Sequence, residues 1–369
     1  MSSVVLFLAG DVMTGRGVDQ VMLQPSVPWL MEQFVRDARD YVRLAERVNG
    51  PIPAPVAVDY IWGDALAQLR RVRPALRIVN LETSVTRSDD AWPGKGIHYR
   101  MSPGNLDCLT AAGLDACALA NNHVLDWGRT GLRETLESLH RAGIRTAGAG
   151  MNRQEAWAPI ALEVAPGGRT LLFSFGASSS GIPPPWAATA TTSGVAWLAD
   201  LSQDTIAQAG EAIRRHRRAG DRVIISIHWG GNWGLAIPAA HRDFAHRLID
   251  DGTADLIYGH SSHHPMPIEV HKGKLILYGC GDLVNDYEGI GAHGELRSDW
   301  ACLYFPTLDV RTGALLRLEI VPMELRRFQP RSAGTQASAW LERMFNDAGR
   351  ALGTSVAREA SGGWTLKWR

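Results

Sequence analysis

Short apolar runs alternate with polar clusters along this chain, and the clusters sit at the carboxyl ends of the runs. Val4-Val5-Leu6-Phe7-Leu8 leads to Gly10-Asp11, Leu76-Arg77-Ile78-Val79 to Asn80-Leu81-Glu82, and Cys117-Ala118-Leu119 to Asn121-Asn122-His123. Val223-Ile224-Ile225-Ser226-Ile227 leads to His228-Trp229-Gly230, and Leu256-Ile257-Tyr258 to Gly259-His260-Ser261-Ser262-His263-His264. Runs of this length and apolar character predict buried strands. A strand that ends in Asp, Glu, Asn or His carries that side chain to the carboxyl edge of its sheet, where α/β proteins place their ligand sites. Five such ends predict one shared site.

Between the strands the spacing predicts helices over 28–48, 103–112, 130–142, 202–219, 239–251 and 337–352. Ser26 is the expected cap of the first of these, with Pro28 in its first turn. Further strands are expected near Thr146 and over 159–164, 170–175, 274–278, 301–305 and 364–368. Pro51-Ile52-Pro53-Ala54-Pro55 predicts a loop, because proline cannot continue a helix. The stretch 178–193, rich in Ser, Thr, Pro and Ala, predicts a long loop over the site.

Composition narrows the function classes. At 369 residues with 45% hydrophobic and 21% charged positions, the chain has the make-up of an ordinary globular protein. Lys plus Arg and Asp plus Glu both count 38, so no global field favours nucleic acid or an anionic membrane, and the expected partner is small or peptidic. The four cysteines, Cys108, Cys117, Cys280 and Cys302, form no CxxC pair and read as reduced thiols. Met1-Ser2-Ser3 runs straight into the first strand without a charged n-region, and no apolar run approaches the ~18 to 20 residues that span a bilayer. The expectation is a cytoplasmic protein; the oligomeric state is open.

Histidine carries the chemistry. Of the 12 histidines, His123, His228, His260, His263 and His264 lie in the polar clusters. One histidine alone reads as a satisfied structural residue, but five with Asp11 and Glu82 point to a metal centre. Imidazole and carboxylate donors suit Zn, Mn, Fe or Ni, and the extra oxygen donors admit Ca or Mg. No glycine-rich dinucleotide fingerprint follows the first strand and no lysine stands out as a pyridoxal anchor, so a divalent metal without an organic cofactor is expected.

The ordered motifs Gly10-Asp11-Val12-Met13, Asn80-Leu81-Glu82, Ala120-Asn121-Asn122-His123 with Asp126, His228-Trp229-Gly230, Gly259-His260 with His263, and Tyr278-Gly279-Cys280-Gly281-Asp282 resemble those of the CapA family. That family is named for poly-γ-glutamate capsule synthesis and is related to calcineurin-like metallophosphoesterases. The resemblance spans about residues 4–330. It implies a four-layer αββα sandwich of two mixed sheets, with residues 1–330 as the catalytic domain; beyond it, the pattern of the tail predicts 331–369 as a helix and strand packed on that domain. The resemblance also implies Asp11, Glu82, Asn122, His228, His260 and His263 as metal ligands and His123 as an acid/base group.

Two departures bear on activity. The phosphoesterases of this superfamily carry a histidine two residues after the first aspartate, where this chain has Met13, and Asn80-Leu81-Glu82 replaces their second aspartate motif. Full phosphoesterase activity is therefore not expected. A narrower resemblance, carried by Gly281-Asp282-Leu283-Val284-Asn285-Asp286-Tyr287-Glu288-Gly289, is to lasso-peptide epimerases that invert a C-terminal tryptophan. It implies a cofactor-independent inversion at the Cα of a peptide's C-terminal residue, with a metal on the adjacent carboxylate as Lewis acid. Inversion needs two acid/base groups. His123 is one, and His228, His263, Asp282, Asp286 and Glu288 are candidates for the other. Trp127, Trp229 and Trp233 adjoin motif residues and suit a pocket for an aromatic group. The alternatives are a metallophosphoesterase-type hydrolase and a poly-γ-glutamate or exopolymer pathway protein without turnover of its own.

Overall fold

A computed structural model describes residues 2–164, 168–291, 294–360 and 362–369. Its two main sheets are both mixed. The first contains ten strands among the described residues, with the central Ser3–Val12 flanked by parallel Leu76–Leu81 and antiparallel Trp300–Asp309. Ala116–Ala118 and Arg145–Ala147 continue one side, and Leu315–Arg326, Trp364–Trp368 and Thr354–Arg358 continue the other. The short strand Asp282–Val284 also pairs with Ser3–Val12, in parallel. In the second sheet Gly168–Ala177, Arg222–His228, Leu256–His260 and Lys274–Leu277 run parallel, and Ile160–Val164 and Ile268–His271 pair antiparallel at its flanks.

The side-chain alternation of the strands decides the layers. In Ser3–Val12, Val4, Leu6 and Leu8 point to one side and pack with Leu172, Ile224, Leu256 and Leu275 of the second sheet, so this apolar layer lies between the sheets. Phe7 and Ala9 point to the other side and pack with Leu69, Leu132, Leu136 and Leu139 of helices Ala65–Val72 and Gly128–Arg141. On the far face of the second sheet, Phe173, Val223, Ile225 and Ile257 meet Ile206 and Ile213 of helix Gln203–His216 and Phe244 and Leu248 of helix Ala239–Asp250. The order is helix, sheet, sheet, helix, as the family resemblance implies. Two strands of the C-terminal segment extend the first sheet, and helix Thr335–Gly349 buries Ala337, Leu341, Met344 and Phe345 in the layer between the sheets.

Several expectations change. The helix expected over 28–48 exists only from Arg39 to Asn49. Upstream of it the chain makes a closed excursion, with Ala38 N donating to Pro28 O at 2.7 Å and Leu30 N to Arg36 O at 2.9 Å. Proline pre-set a helical start there, but Glu32 is drawn inward to Arg16 and Tyr41, which a continuous helix does not deliver. The helix expected over 103–112 splits into the short turns Pro103–Asn105 and Asp107–Ala111. The stretch 178–193 folds into two short turns, Ser178–Ser180 and Pro184–Trp186, with Trp186 fully buried. Strands Leu315–Arg326, Gln329–Ser332 and Thr354–Arg358 have no strong motif in the sequence; they are held by antiparallel pairing and by burial of Leu318, Ile320 and Val356 between the sheets.

Candidate metal centre

The centre forms where the carboxyl edges of the two sheets meet. Asp11 follows Gly10, and a Cβ at Gly10 would stand 1.6 Å from the carbonyl oxygen of Gly281, so only glycine allows this approach. Asp11 N in turn donates to Gly281 O at 2.9 Å, which sets Asp11 beside Asp282, its register partner. Across the sheets, the Tyr258 hydroxyl donates to Ala9 O, and Ser261 N donates to the Asp11 carboxylate at 3.2 Å. Ser261 holds φ +100°, a strained value for a residue with a side chain, and that turn aims its amide at Asp11.

Asp11 belongs to two donor sets. One combines Asp11, His228 and His260, the other Asp11, His263 and Asp282, and within each set the ligating atoms lie within 4.8 Å of one another. His228 and His260 are register partners on adjacent strands, and their Nδ1 atoms approach to 2.7 Å. Nε2 of His228 lies 3.1 Å from Asn122 Oδ1 and 3.9 Å from Glu82 Oε1. His260 Nε2 meets the Ser226 hydroxyl at 2.6 Å, which orients the ring. His263 Nδ1 lies 3.0 Å from Asp282, whose second oxygen accepts from Asn285 at 2.8 Å. Asn80 donates to Asp11 at 2.7 Å and to Glu82 at 3.3 Å, and is itself held by Asn121.

This donor set fits a divalent cation. Asp11, Glu82 and Asp282 are all buried, and carboxylates that share a dry site repel one another. Burial, with the charge of Asp282, pushes the Asp11 carboxyl up to about 7; burial, with Asp11, holds Glu82 well above the usual carboxylate range. Burial also drives His260 down to about 3 and, with His260 beside it, His228 well below its usual value. Burial works against protonation of His263 too, but Asp282 outweighs it and leaves that ring above its usual value. The neutral imidazoles of His228 and His260, beside crowded carboxylates, are the arrangement a cation stabilises. A third set, His246, Glu269 and His271, lies apart, and its Glu269 already pairs with Arg242 at 2.9 Å.

His123 stands beside the donors with a relay of its own. Its Nδ1 meets Asp126 at 2.6 Å, and Lys95 reaches both residues. Burial takes His123 down to about 4 in spite of Asp126. With Nδ1–H donated to Asp126, Nε2 keeps its lone pair, 3.8 Å from Glu82. His123, His263 and Tyr287 line a pocket of about 320 Å³. His263 and Tyr287 also line a neighbouring cavity of about 780 Å³, whose walls include Phe34, Trp233 and Ile290.

The structure brings together all six residues expected as metal ligands, with His123 beside them. Asp282, expected as an acid/base group, is a member of the second candidate donor set, with Asp11 and His263. The Asp286 carboxylate is bonded to Arg16 and to Gly17 N, and that of Glu288 to Asn49 and to the amides of Arg327 and Phe328. Both are held in internal bonds. Sequence reasoning did not single out Asn80 and Asn285 as orienting partners, and weighed Lys95, with Arg16 and Arg100, as a candidate binder of a substrate carboxylate or phosphate against a plain surface cation. The position of Asn80 at a strand end was the available signal; for Asn285 it was its place in the motif from Gly281 to Gly289. Met13 is fully buried, its sulfur 3.9 Å from the Tyr287 hydroxyl. Trp229 stacks on His241 at 4.4 Å and Trp233 on His264 at 6.0 Å.

Residues 5–287 match the family model described as "Bacterial capsule synthesis protein PGA_cap". The chain belongs to this family. Among its relatives, a "Probable polyglutamine synthesis accessory protein" of Mycobacterium tuberculosis is 44% identical over 354 residues, covering 96% of this chain and 93% of the relative. The "PGA biosynthesis protein CapA" of Bacillus subtilis is 26% identical over 324 residues, 87% of this chain and 71% of its own. The "Capsule biosynthesis protein CapA" of Bacillus anthracis is 22% identical over 330 residues, 88% and 68% respectively. These PGA_cap relatives are named for polymer or capsule synthesis, and the peptide-epimerase expectation gains no support from them. Among the described residues, no helix of this PGA_cap member is long and apolar enough to cross a membrane.

Proposed function

We propose that this protein is a metal-dependent component of a poly-glutamate or related exopolymer pathway, and that its centre engages a carboxylate of a polyamide chain. The observation that carries the reading is Asp11, shared by two three-residue donor sets at the meeting edges of the sheets. Asp11, His228 and His260 would hold one divalent cation, with Glu82 and Asn122 beside it. Asp11, His263 and Asp282 suit a second. Such a cation, when bound, supplies Lewis-acid stabilisation of negative charge on a bound carboxylate or carbonyl. The names of the relatives favour an accessory role in polymer synthesis over an independent isomerase.

The test is calorimetry with penta-γ-glutamate on protein loaded with Mn, Zn, Ca or Mg, repeated after chelation. Saturable binding that requires metal supports the reading. Equal binding by metal-free protein, or none with any metal, overturns it.

A second reading, inversion at the Cα of a peptide's C-terminal residue such as tryptophan, is favoured by one observation. The pocket lined by both His123 and His263 opens beside a larger cavity walled by Phe34, Trp233 and Ile290, which suits an aromatic side chain. In that reading one imidazole removes the Cα proton and another group returns one to the opposite face. Solvent deuterium taken up at Cα, with the mass otherwise unchanged, marks this activity; phosphate released from a model ester marks a hydrolase; metal-dependent binding without either marks an accessory protein.

A further inference from the structure

In the excursion from Trp29 to Asp37, the usual inside and outside are exchanged. Trp29, Met31 and Phe34 are 66%, 60% and 97% exposed, whereas Glu32, 7% exposed, is the buried residue of the segment. Apolar side chains facing water and a carboxylate facing inward run against the free energies of transfer. The carboxylate is held by specific partners. Glu32 Oε1 accepts from Arg16 Nη1 at 2.9 Å, and Oε2 accepts from the Tyr41 hydroxyl.

Those partners form a built recess. Asp286 grips the other side of the guanidinium through Nε at 3.1 Å and Nη2 at 2.5 Å. The Arg16 guanidinium carbon lies 3.9 Å from the Tyr41 ring centroid and 4.2 Å from that of Tyr99. Arg16 itself adopts φ +48°, a left-handed value uncommon outside glycine, which the surrounding contacts maintain. With Asp286 fixing the fork, Nη1 donates to Glu32 and, at 3.0 Å, to the Tyr41 hydroxyl, and Arg16, Glu32 and Tyr41 all line the 780 Å³ cavity that also touches His263 and Tyr287. A planar guanidinium with a neighbouring phenol is a carboxylate receptor.

We propose that Arg16 and Tyr41 form a carboxylate-binding subsite of this cavity, occupied here by the protein's own Glu32. A ligand carboxylate entering the cavity exchanges with Glu32, and the excursion from Pro28 to Ala38 is released from the cavity wall. A tethered carboxylate competes at high effective concentration, so the free ligand must carry further binding energy, such as engagement at the metal centre. The ligand class is a molecule with two carboxylates, one for the metal and one for Arg16, as consecutive γ-linked glutamates provide. That identity rests on the proposed function; the subsite itself does not.

The experiment measures calorimetric binding of glutarate and of penta-γ-glutamate to the metal-loaded full chain as wild type, Glu32→Gln and Glu32→Gln/Tyr41→Phe. Circular dichroism confirms that each is folded, and Glu32→Ala replaces Glu32→Gln if the latter is not. Emptying the subsite should raise glutarate affinity roughly tenfold or more, and Tyr41→Phe should reverse part of the gain. Hydrogen exchange of residues 28–38 should also be faster in Glu32→Gln than in wild type. Unchanged glutarate affinity in both Glu32 variants overturns the subsite. Tightened glutarate binding with no binding of penta-γ-glutamate by any variant leaves the subsite standing and overturns the polymer reading.

Discussion

Asp11 and Asp282 are register partners on adjacent parallel strands, both buried, with His263 bonded to one of them and His260 3.9 Å from the other. Like charges so placed destabilise the fold unless a cation or proton lies among them. Loading with a divalent metal should therefore raise the melting temperature, and chelation should reverse it. At 100 times the dissociation constant the gain is about 2.7 kcal/mol. In Asp11→Asn the metal-dependent shift should vanish, because both donor sets lose a member. A full shift in Asp11→Asn, followed by calorimetry of the variant with the same metal, would refute the shared centre.

His123 is oriented by Asp126 and lies 3.8 Å from Glu82. His123→Ala should retain bound metal, measured by elemental analysis, while any turnover by the loaded protein falls roughly 10²- to 10⁴-fold, the usual effect of losing an acid/base group. Asp126→Asn should fall less, since it alters the tautomer and leaves the ring in place. Metal content that drops in step with turnover would make His123 a ligand instead.

His241 stacks on Trp229, and burial lowers it to about 4. Its folded value lies below the unfolded value of about 6.5, so the unfolded state binds the proton first as pH falls. Stability from this source is complete above about pH 6.5 and declines toward pH 4. Relative to His241→Phe, which keeps the stack, wild type should lose up to about 3 kcal/mol between pH 7.5 and 4. Urea unfolding of both proteins across that range measures it; a pH-independent difference would show that the ring titrates normally.

Tyr258 of the second sheet donates its hydroxyl to Ala9 O of the first, two residues before Asp11. Tyr258→Phe should cost roughly 1 to 3 kcal/mol in urea unfolding, the range for leaving a buried polar group unpaired. Metal affinity should fall as well, because this bond joins the strands that carry Asp11 and His260. Wild-type affinity in a destabilised variant would separate sheet docking from the centre.

The sequence by itself determined which strands end in chemistry. The β-branched run before His228 and the short apolar run before His260 are too brief for helices and read as buried strands, and a buried strand with a polar end carries that end to a sheet edge. It determined the donor types as well, since imidazole and carboxylate are intrinsic to His228, His260, Asp11 and Glu82. Tertiary structure decided what each group does. Asp282, Asp286 and Glu288 lie within seven residues of one another. Yet one joins the donors, one grips Arg16, and one binds the amides of Arg327 and Phe328. Local pattern does not encode that division, because the partners that set it, Asp11 and His263 for Asp282, Arg16 for Asp286, and Arg327 and Phe328 for Glu288, lie elsewhere in the chain. The reversed burial of Glu32 against Trp29 and Phe34 is of the same kind. Helical propensity after Pro28 is worth only tenths of a kcal/mol per residue. It yields to a charge-assisted bond of about 1.5 to 3 kcal/mol, whose partner, Arg16, is positioned only once the sheets have packed.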